Sequence, residues 1–164
     1  MRYLIYILSF IATACSVSYS FTGADIPAEA KTFSVDYFGN NTALASPQYQ
    51  QILTEGMRDF ILTQTPLDLI KRNGDIHFSG TVTQYNTRPI AIQEGDVGAR
   101  QRLTISIKVV YINSLEPKKN FEKSFSRFAD FDTSADFDSV ESALIEEINE
   151  QLIQDVFNAS VGNW

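Results

Sequence analysis

The chain has 164 residues, of which 44% are hydrophobic and 12% aromatic, and its formal net charge is -7. This excludes a disordered chain and fits one domain with a real core, since at this size folding buries about two-thirds of the unfolded chain's surface. One cysteine and one histidine exclude an internal disulfide and a Cys/His zinc site.

The N-terminus, "MRYLIYILSFIATA", sets Arg2 before an apolar run from Tyr3 to Ala12. The run is shorter than the about 20 residues that span a bilayer, and it reads as a secretory signal over residues 1–14. A buried N-terminal strand is the alternative. Cys15 follows at once, and "ATAC" is similar to a bacterial lipobox, with Ala12 where Leu is usual. Cys15 is therefore the candidate lipidation site, with a stray thiol as the alternative. Ser16 after it implies outer-membrane sorting, on the periplasmic face. Residues 15–31 read as the lipidated N-terminus and tether, and 32–164 as a single domain.

"KTFSVDYF" alternates, which predicts a strand with Phe33, Val35 and Tyr37 on the core face. "SPQYQQILTEGMRDFILTQ" predicts a helix capped by Ser46, with Pro47 in its first turn and an apolar stripe of Tyr49, Ile52, Leu53, Met57 and Phe60. Gly56 on that stripe predicts a close helix–sheet contact. Asn73-Gly74 between apolar runs predicts a hairpin. A strand follows to Tyr85, in which Gly80 marks a bulge or a close backbone approach. "NTRPIAIQEGDVGAR" reads as a long loop or pinched edge. "RLTISIKVVYIN" turns Leu103, Ile105, Ile107, Val109 and Tyr111 one way, and Arg102, Thr104, Ser106 and Lys108 the other. "EPKKN" turns into "FEKSFSRFADF". From Ser139 to Phe157 a second helix carries Val140, Leu144, Ile145, Ile148, Leu152, Ile153, Val156 and Phe157 on one stripe. The fold class is α+β, a two-layer sandwich. Two helices pack on one face of a roughly four-stranded, mostly antiparallel sheet in the order β-α-β-β-β-α, and Ser, Thr, Lys and Arg line the other face.

Between the last strand and that helix, Asp130, Asp132, Ser134, Asp136, Asp138 and Glu141 stand at EF-hand ligand positions. Ala135 occupies the place that an EF-hand reserves for Gly, and a strand precedes the run. The better reading is a helix cap by Asp138 with Glu141 at N3, and Phe131 and Phe137 anchoring the connection. "Asp138-Ser139-Val140" also resembles a periplasmic O-glycosylation triplet, which competes for the same cap.

His77, mid-strand, reads as solvent-facing, which argues against a Ser-His-Asp triad. No Gly-rich phosphate loop is present. The expectation is no enzyme, no catalytic residue, no metal, no cofactor and no nucleic acid. Residues 15–69 carry a net charge of -4, residues 70–127 carry +5 and residues 128–164 carry -9. Such a chain can meet an anion with its middle and a cationic surface with its tail.

"YSFTGADIP", "KTFSVDYF", "GDIHFSGTVTQYNTRPIAIQ", "RLTISIKVVYIN", "FEKSFSRFADFD" and "LIEEINEQLIQDVFN" together resemble the LptE lipoproteins of lipopolysaccharide assembly, in the branch found in Bacteroidota. The resemblance covers nearly all of the chain after the signal, in order. It implies a non-enzymatic outer-membrane lipoprotein that plugs and stabilises a large β-barrel, LptD, and binds lipopolysaccharide in transit. It also implies two helices on a four-stranded sheet. Barrel lumens are polar, which suits a plug with a polar sheet face. Arg88, Arg100, Arg102 and Lys108, in or beside the basic middle, are the candidate lipopolysaccharide contacts, because Arg holds phosphate in bidentate fashion. Ordinary solvated charge is the alternative for each. Glu146 and Glu150, on a helix without Lys or Arg, are the candidate partner-binding pair, with simple solubility as the alternative. A stand-alone periplasmic lipoprotein that binds glycan or peptidoglycan is the rival function.

Overall fold

The computed structural model describes residues 26–90 and 99–162. The expected signal, Cys15 and most of the tether lie outside the described residues, as does the middle of the expected loop, residues 91–98. In chain order the elements are β1 (Thr32–Val35), β2 (Gly39–Asn40), α1 (Pro47–Gln64), β3 (Asp68–Leu69), β4 (Ile76–Ile90), β5 (Arg100–Asn113), a 3-10 turn (Pro117–Lys119), β6 (Phe121–Asp132) and α2 (Phe137–Ser160).

The class is α+β as expected, but the sheet is an open mixed one of six strands, in the order β3-β1-β4-β5-β6 with β2 added beside β4. β1 runs parallel to both β3 and β4, and β2 runs parallel to β4. β4, β5 and β6 form an antiparallel meander. The two additional strands have two residues each, too few for alternation to reveal them. Parallel neighbours need a crossover, and α1 supplies it between β1 and β4.

The Asn73-Gly74 hairpin does not form, because β1 lies between β3 and β4. Asn73 takes the left-handed conformation at φ 57°. At Gly74 a Cβ would stand 2.5 Å from the Phe33 carbonyl carbon, so the missing side chain lets the backbone lie against β1. Next to it, the Asp75 carboxylate accepts from Lys31 N, Thr32 N and Thr32 Oγ1 at 2.8–3.0 Å. These bonds hold its pKa below the usual value of 3.8, the Lys31 backbone bond contributing most. They fix the start of β1 beside the start of β4.

β1 ends at Val35, so Tyr37 does not share the core face: it is 54% exposed, and Phe38 is buried instead. β4 runs beyond Tyr85 to Ile90, pairing Pro89 with Gln101, so Asn86 to Ile90 of the expected loop are strand and not loop. The register shift falls between Val82 and Gln84, whereas Gly80 is the close approach, where a Cβ would meet the Phe38 ring at 2.5 Å and Lys108 O at 2.7 Å.

One core joins the helices to the inner sheet face, through Leu53, Met57 and Ile61 of α1, Leu103 to Tyr111 of β5, and Leu144 to Phe157 of α2. Ser46 caps α1 by accepting from Tyr49 N at 3.2 Å, with Pro47 next. Ile52 departs from the expected stripe at 42% exposure. Gly56 meets Ile153 Cδ1 of α2, so its close contact is helix to helix and not helix to sheet. The cap of α2 is also displaced. Asp136 is the N-cap residue, without a side-chain bond, and Asp138 sits in the first turn. With Asp136 as the N-cap, Glu141 stands two residues past N3, outside a capping box, and it accepts from the Tyr85 hydroxyl of β4. The anchors hold: Phe131 and Phe137 pack with centroids 5.6 Å apart.

Candidate functional site

β5 alternates, so every second side chain leaves the core for the open sheet face. Arg100 and Arg102 both lie there, at one end of the strand, and Arg88 of β4 stands directly across from Arg102. The structure thus gathers three of the four candidate lipopolysaccharide contacts. Arg102 is not unengaged. Its Nε and Nη2 donate to the two Asp130 oxygens at 2.7 and 2.9 Å, and its guanidinium stacks 3.6 Å from the centre of the Phe128 ring. Register explains the pair, since Arg102 and Asp130 face each other across β5 and β6. Hydrogen bonding to Arg102 holds the Asp130 carboxyl below the ordinary range and, reciprocally, raises the Arg102 guanidinium. Arg88 and Arg100 have no ion-pair partner among the described residues.

Lys108 does not join this group. It lies six residues along β5, roughly 20 Å from Arg102 at about 3.4 Å per residue. Its ammonium pairs with Glu122 of β6. Between the two lies a hydrogen-bonded polar surface, where the Ser106 hydroxyl bridges Ser126 Oγ at 2.8 Å and Gln84 Oε1 at 3.3 Å.

The carboxylates of the acidic run do not converge on a common point. Asp130 holds Arg102, Asp132 accepts from Ser134 N and Oγ, and Glu141 holds Tyr85. His77 accepts or donates at Nδ1 with Ser34 Oγ at 2.8 Å, while its Nε2 lies 3.4 Å from Asp36. The three resemble a catalytic triad in outline. Ser34, however, is fully buried and its Oγ accepts from Gly74 N, so no substrate can approach the hydroxyl.

A second surface lies on the helix side, where a groove of 850 Å³ opens between α1 and α2. Glu146 and Glu150 line it, as does Asp59 from α1. Asp155 on the same helix is already paired: Arg127 of β6 donates to it through Nε and Nη2 at 2.6 and 2.7 Å. Arg127 stands opposite Ile105, on the helix-facing side of the edge strand, which is why it reaches α2. Among the described residues, Glu146, Glu147 and Glu150 have no such cation.

Sequence reasoning missed two polar links beneath the groove. The Tyr49 hydroxyl donates to Asn149 Oδ1 at 3.0 Å, and Tyr85 donates to Glu141. Burial raises both tyrosines above their usual range, with the Glu141 bond adding to the rise at Tyr85. The signal was present: Asn149 falls on the apolar stripe four residues after Ile145, and a buried Tyr needs a partner for its hydroxyl.

Comparison with known proteins bears on what these surfaces serve. No curated protein matches the sequence. Solved structures of similar fold include a minor lipoprotein from Acinetobacter baumannii, at TM-score 0.51 and 12% identity over 79% of this chain and 91% of that one. They also include lipoprotein B from Nitrosomonas europaea, at TM-score 0.51 and 11% identity over 86% and 88%. A Xanthomonas campestris protein superposes with TM-score 0.59 at 9% identity, over 88% and 90%. These likenesses are of fold. The model of the lipopolysaccharide-assembly family LptE matches residues 30–160, so the chain belongs to the LptE family of lipopolysaccharide-assembly proteins.

Proposed function

We propose that the chain is an outer-membrane lipoprotein that plugs and stabilises an LptD-type β-barrel and helps deliver lipopolysaccharide to the outer membrane. It is anchored by acyl chains on Cys15 at the periplasmic face and performs no catalysis. The observation that carries the reading is the open sheet face. Its polar side chains are tied across strands, with the Arg88, Arg100 and Arg102 cluster at one end. Such a face suits a polar lumen, where an apolar one would not be wetted. Arg88 and Arg100 offer forks to the phosphates and carboxylates of lipopolysaccharide, and Arg102, whose Nε–Nη2 edge holds Asp130, can add its Nη1 side, or that edge too by exchanging Asp130 for the ligand.

On this reading Glu146 and Glu150 meet basic groups of the barrel, which gives steering and register more than raw affinity. No helix among the described residues is long and apolar enough to cross a membrane, and the reading requires none. The deciding experiment is co-purification from membranes in mild detergent. A plug is expected to emerge with a barrel of much larger mass. A chain that emerges alone, and that binds glycan or peptidoglycan, is instead a stand-alone periplasmic lipoprotein. Intact mass that places the mature N-terminus anywhere but an acylated Cys15 removes the anchor.

A further inference from the structure

We propose that the groove between α1 and α2 is a docking site for an extended, lysine- or arginine-containing peptide segment of a partner protein. This deepens the docking role of Glu146 and Glu150 and rests on that reading, but it does not require the barrel to be the partner.

Three observations converge on the groove. The first is charge. Asp59 lines it from α1 and Glu146 and Glu150 from α2, and no Lys or Arg among the described residues lines it. The fold does supply a cation to this helix, Arg127, but gives it to Asp155 outside the groove. The second is the apolar floor. Ile52 remains 42% exposed although it follows the spacing of the core stripe, and Phe60 and Ile153 continue the floor beside it. The third is an unpaired donor. Asn149 lines the groove and is only 5% exposed. Its Oδ1 accepts from Tyr49, and its buried Nδ2 has no partner among the described residues. Buried donors are nearly always paired in folded proteins, so a buried amide left open beside a groove points to an acceptor that arrives from outside.

A peptide segment meets all three needs at once. A main-chain carbonyl accepts from Asn149 Nδ2. Basic side chains on either side of it reach Glu146 and Glu150 on one wall and Asp59 on the other. An aliphatic residue between them covers Ile52 and Ile153. The alternation of side chains along an extended segment allows this division. A free polyamine would pair the carboxylates but would offer Nδ2 no acceptor. A phosphate-bearing lipid would be repelled by the same walls. The segments outside the described structure offer the groove little, because residues 1–25 hold a single cation, Arg2 in the expected signal, and residues 91–98 and 163–164 hold none.

The test is selection of a random heptapeptide display library on the full chain, with counter-selection on the Glu146→Gln/Glu150→Gln variant, whose changes are at exposed positions. Enriched peptides are expected to carry Lys or Arg around an aliphatic residue. The best of them should bind the double variant at least tenfold more weakly than wild type, and more weakly at 300 mM than at 50 mM salt. Asn149→Ala should weaken it about fivefold, and in amide NMR spectra the Asn149 side-chain resonance should shift on binding. Should Asn149→Ala fail to fold, the double variant and the shift decide. The proposal falls if the enriched peptides lack basic residues, if they bind the double variant equally well, if spermine displaces them fully, or if the shifts lie away from α1 and α2. Peptide binding without a co-purifying barrel would keep the groove and remove the plug, and the reverse would remove the groove and keep the plug.

Discussion

The two faces of this molecule handle charge in opposite ways. On the open sheet face, two of the four candidate cations are met within the fold: Arg102 holds Asp130 directly across on β6, and Lys108 holds Glu122 on the diagonal, while Arg88 and Arg100 have no ion-pair partner among the described residues. On the helix side, Asp155 is met by Arg127 and Glu55 by Arg58, and the carboxylates of the groove have no cation among the described residues. Antiparallel strands set residues directly opposite one another, so a sheet can neutralise its own charges. A helix with one sign of charge along its polar side has neighbours only of that sign, and repulsion between Glu146 and Glu150 costs about 0.2–0.5 kcal/mol. A ligand that uses Arg102 or Lys108 must therefore compete with an internal partner, whereas one at Arg88 and Arg100 or in the groove need not.

Both faces depend on one core, so the largest expected effect is common to them. Leu152 of α2 is fully buried within that core. Leu152→Ala should cost about 2–5 kcal/mol in denaturant unfolding and lower lipopolysaccharide and partner binding together. If one binding activity survives intact while the other is lost, the faces do not share a cooperative unit.

The same core separates what the sequence discloses from what it hides. The β4–β5–β6 meander and α2 rest on period-2 and period-3.6 patterns, and their inward residues, Leu103 to Tyr111 and Leu144 to Phe157, are where the pattern places them. The β1 side is different. Its strands are short, its pairings are parallel and distant in sequence, and it is held by Gly74 against Phe33 and by Asp75 on Lys31 and Thr32. No local pattern encodes such contacts, so Asn73-Gly74 reads as a hairpin when β1 in fact passes between. For the functional surfaces, alternation placed Arg100 and Arg102 together and spacing along the strand already set Lys108 apart, but cross-strand register, which residue spacing does not reveal, decides that Arg102 is engaged by Asp130 and that Arg88 stands across from it.

Removing the internal competitor should sharpen the contrast. Asp130→Ala frees the Arg102 fork, which should raise lipopolysaccharide affinity several-fold. The lost pair is partly exposed and should cost only roughly 0.2–1 kcal/mol in stability. Weaker lipopolysaccharide binding in this variant would mean that Asp130 positions Arg102 for the ligand and does not compete with it. The converse variant, Arg88→Ala with Arg100→Ala, should lower lipopolysaccharide binding with stability unchanged within about 0.5 kcal/mol.

Acid should act on stability through the sheet side. Asp75, Asp130 and Asp132 are all held below the ordinary carboxylate value of 3.8. A carboxylate with a depressed folded pKa contributes stability that is fully present above that value and is lost as pH falls through the folded one. Unfolding followed by circular dichroism should therefore show stability falling below about pH 4. Asp75→Asn should flatten the fall by removing its titrating group. An unchanged acid limb in that variant would exclude the β1 clasp as a source of the acid sensitivity.

The smallest expected effect is the most discriminating one. Lys108 shares the open face with Arg100 and carries the same sign, so a ligand attracted to the whole strand would use both. Register puts Lys108 beside Glu122 and roughly 20 Å from Arg102, too far for one phosphate group to reach both. Lys108→Ala should therefore leave lipopolysaccharide affinity within about twofold of wild type and alter stability by less than about 0.5 kcal/mol, since the exposed pair it breaks contributes little. Arg100→Ala, measured in the same assay, should show the larger loss. Equal losses from the two variants would replace a cluster at one end of the strand with a site that runs along the whole face. The paired charges there would then have to open for ligand as readily as the unpaired ones, and the contrast between sheet face and groove would disappear.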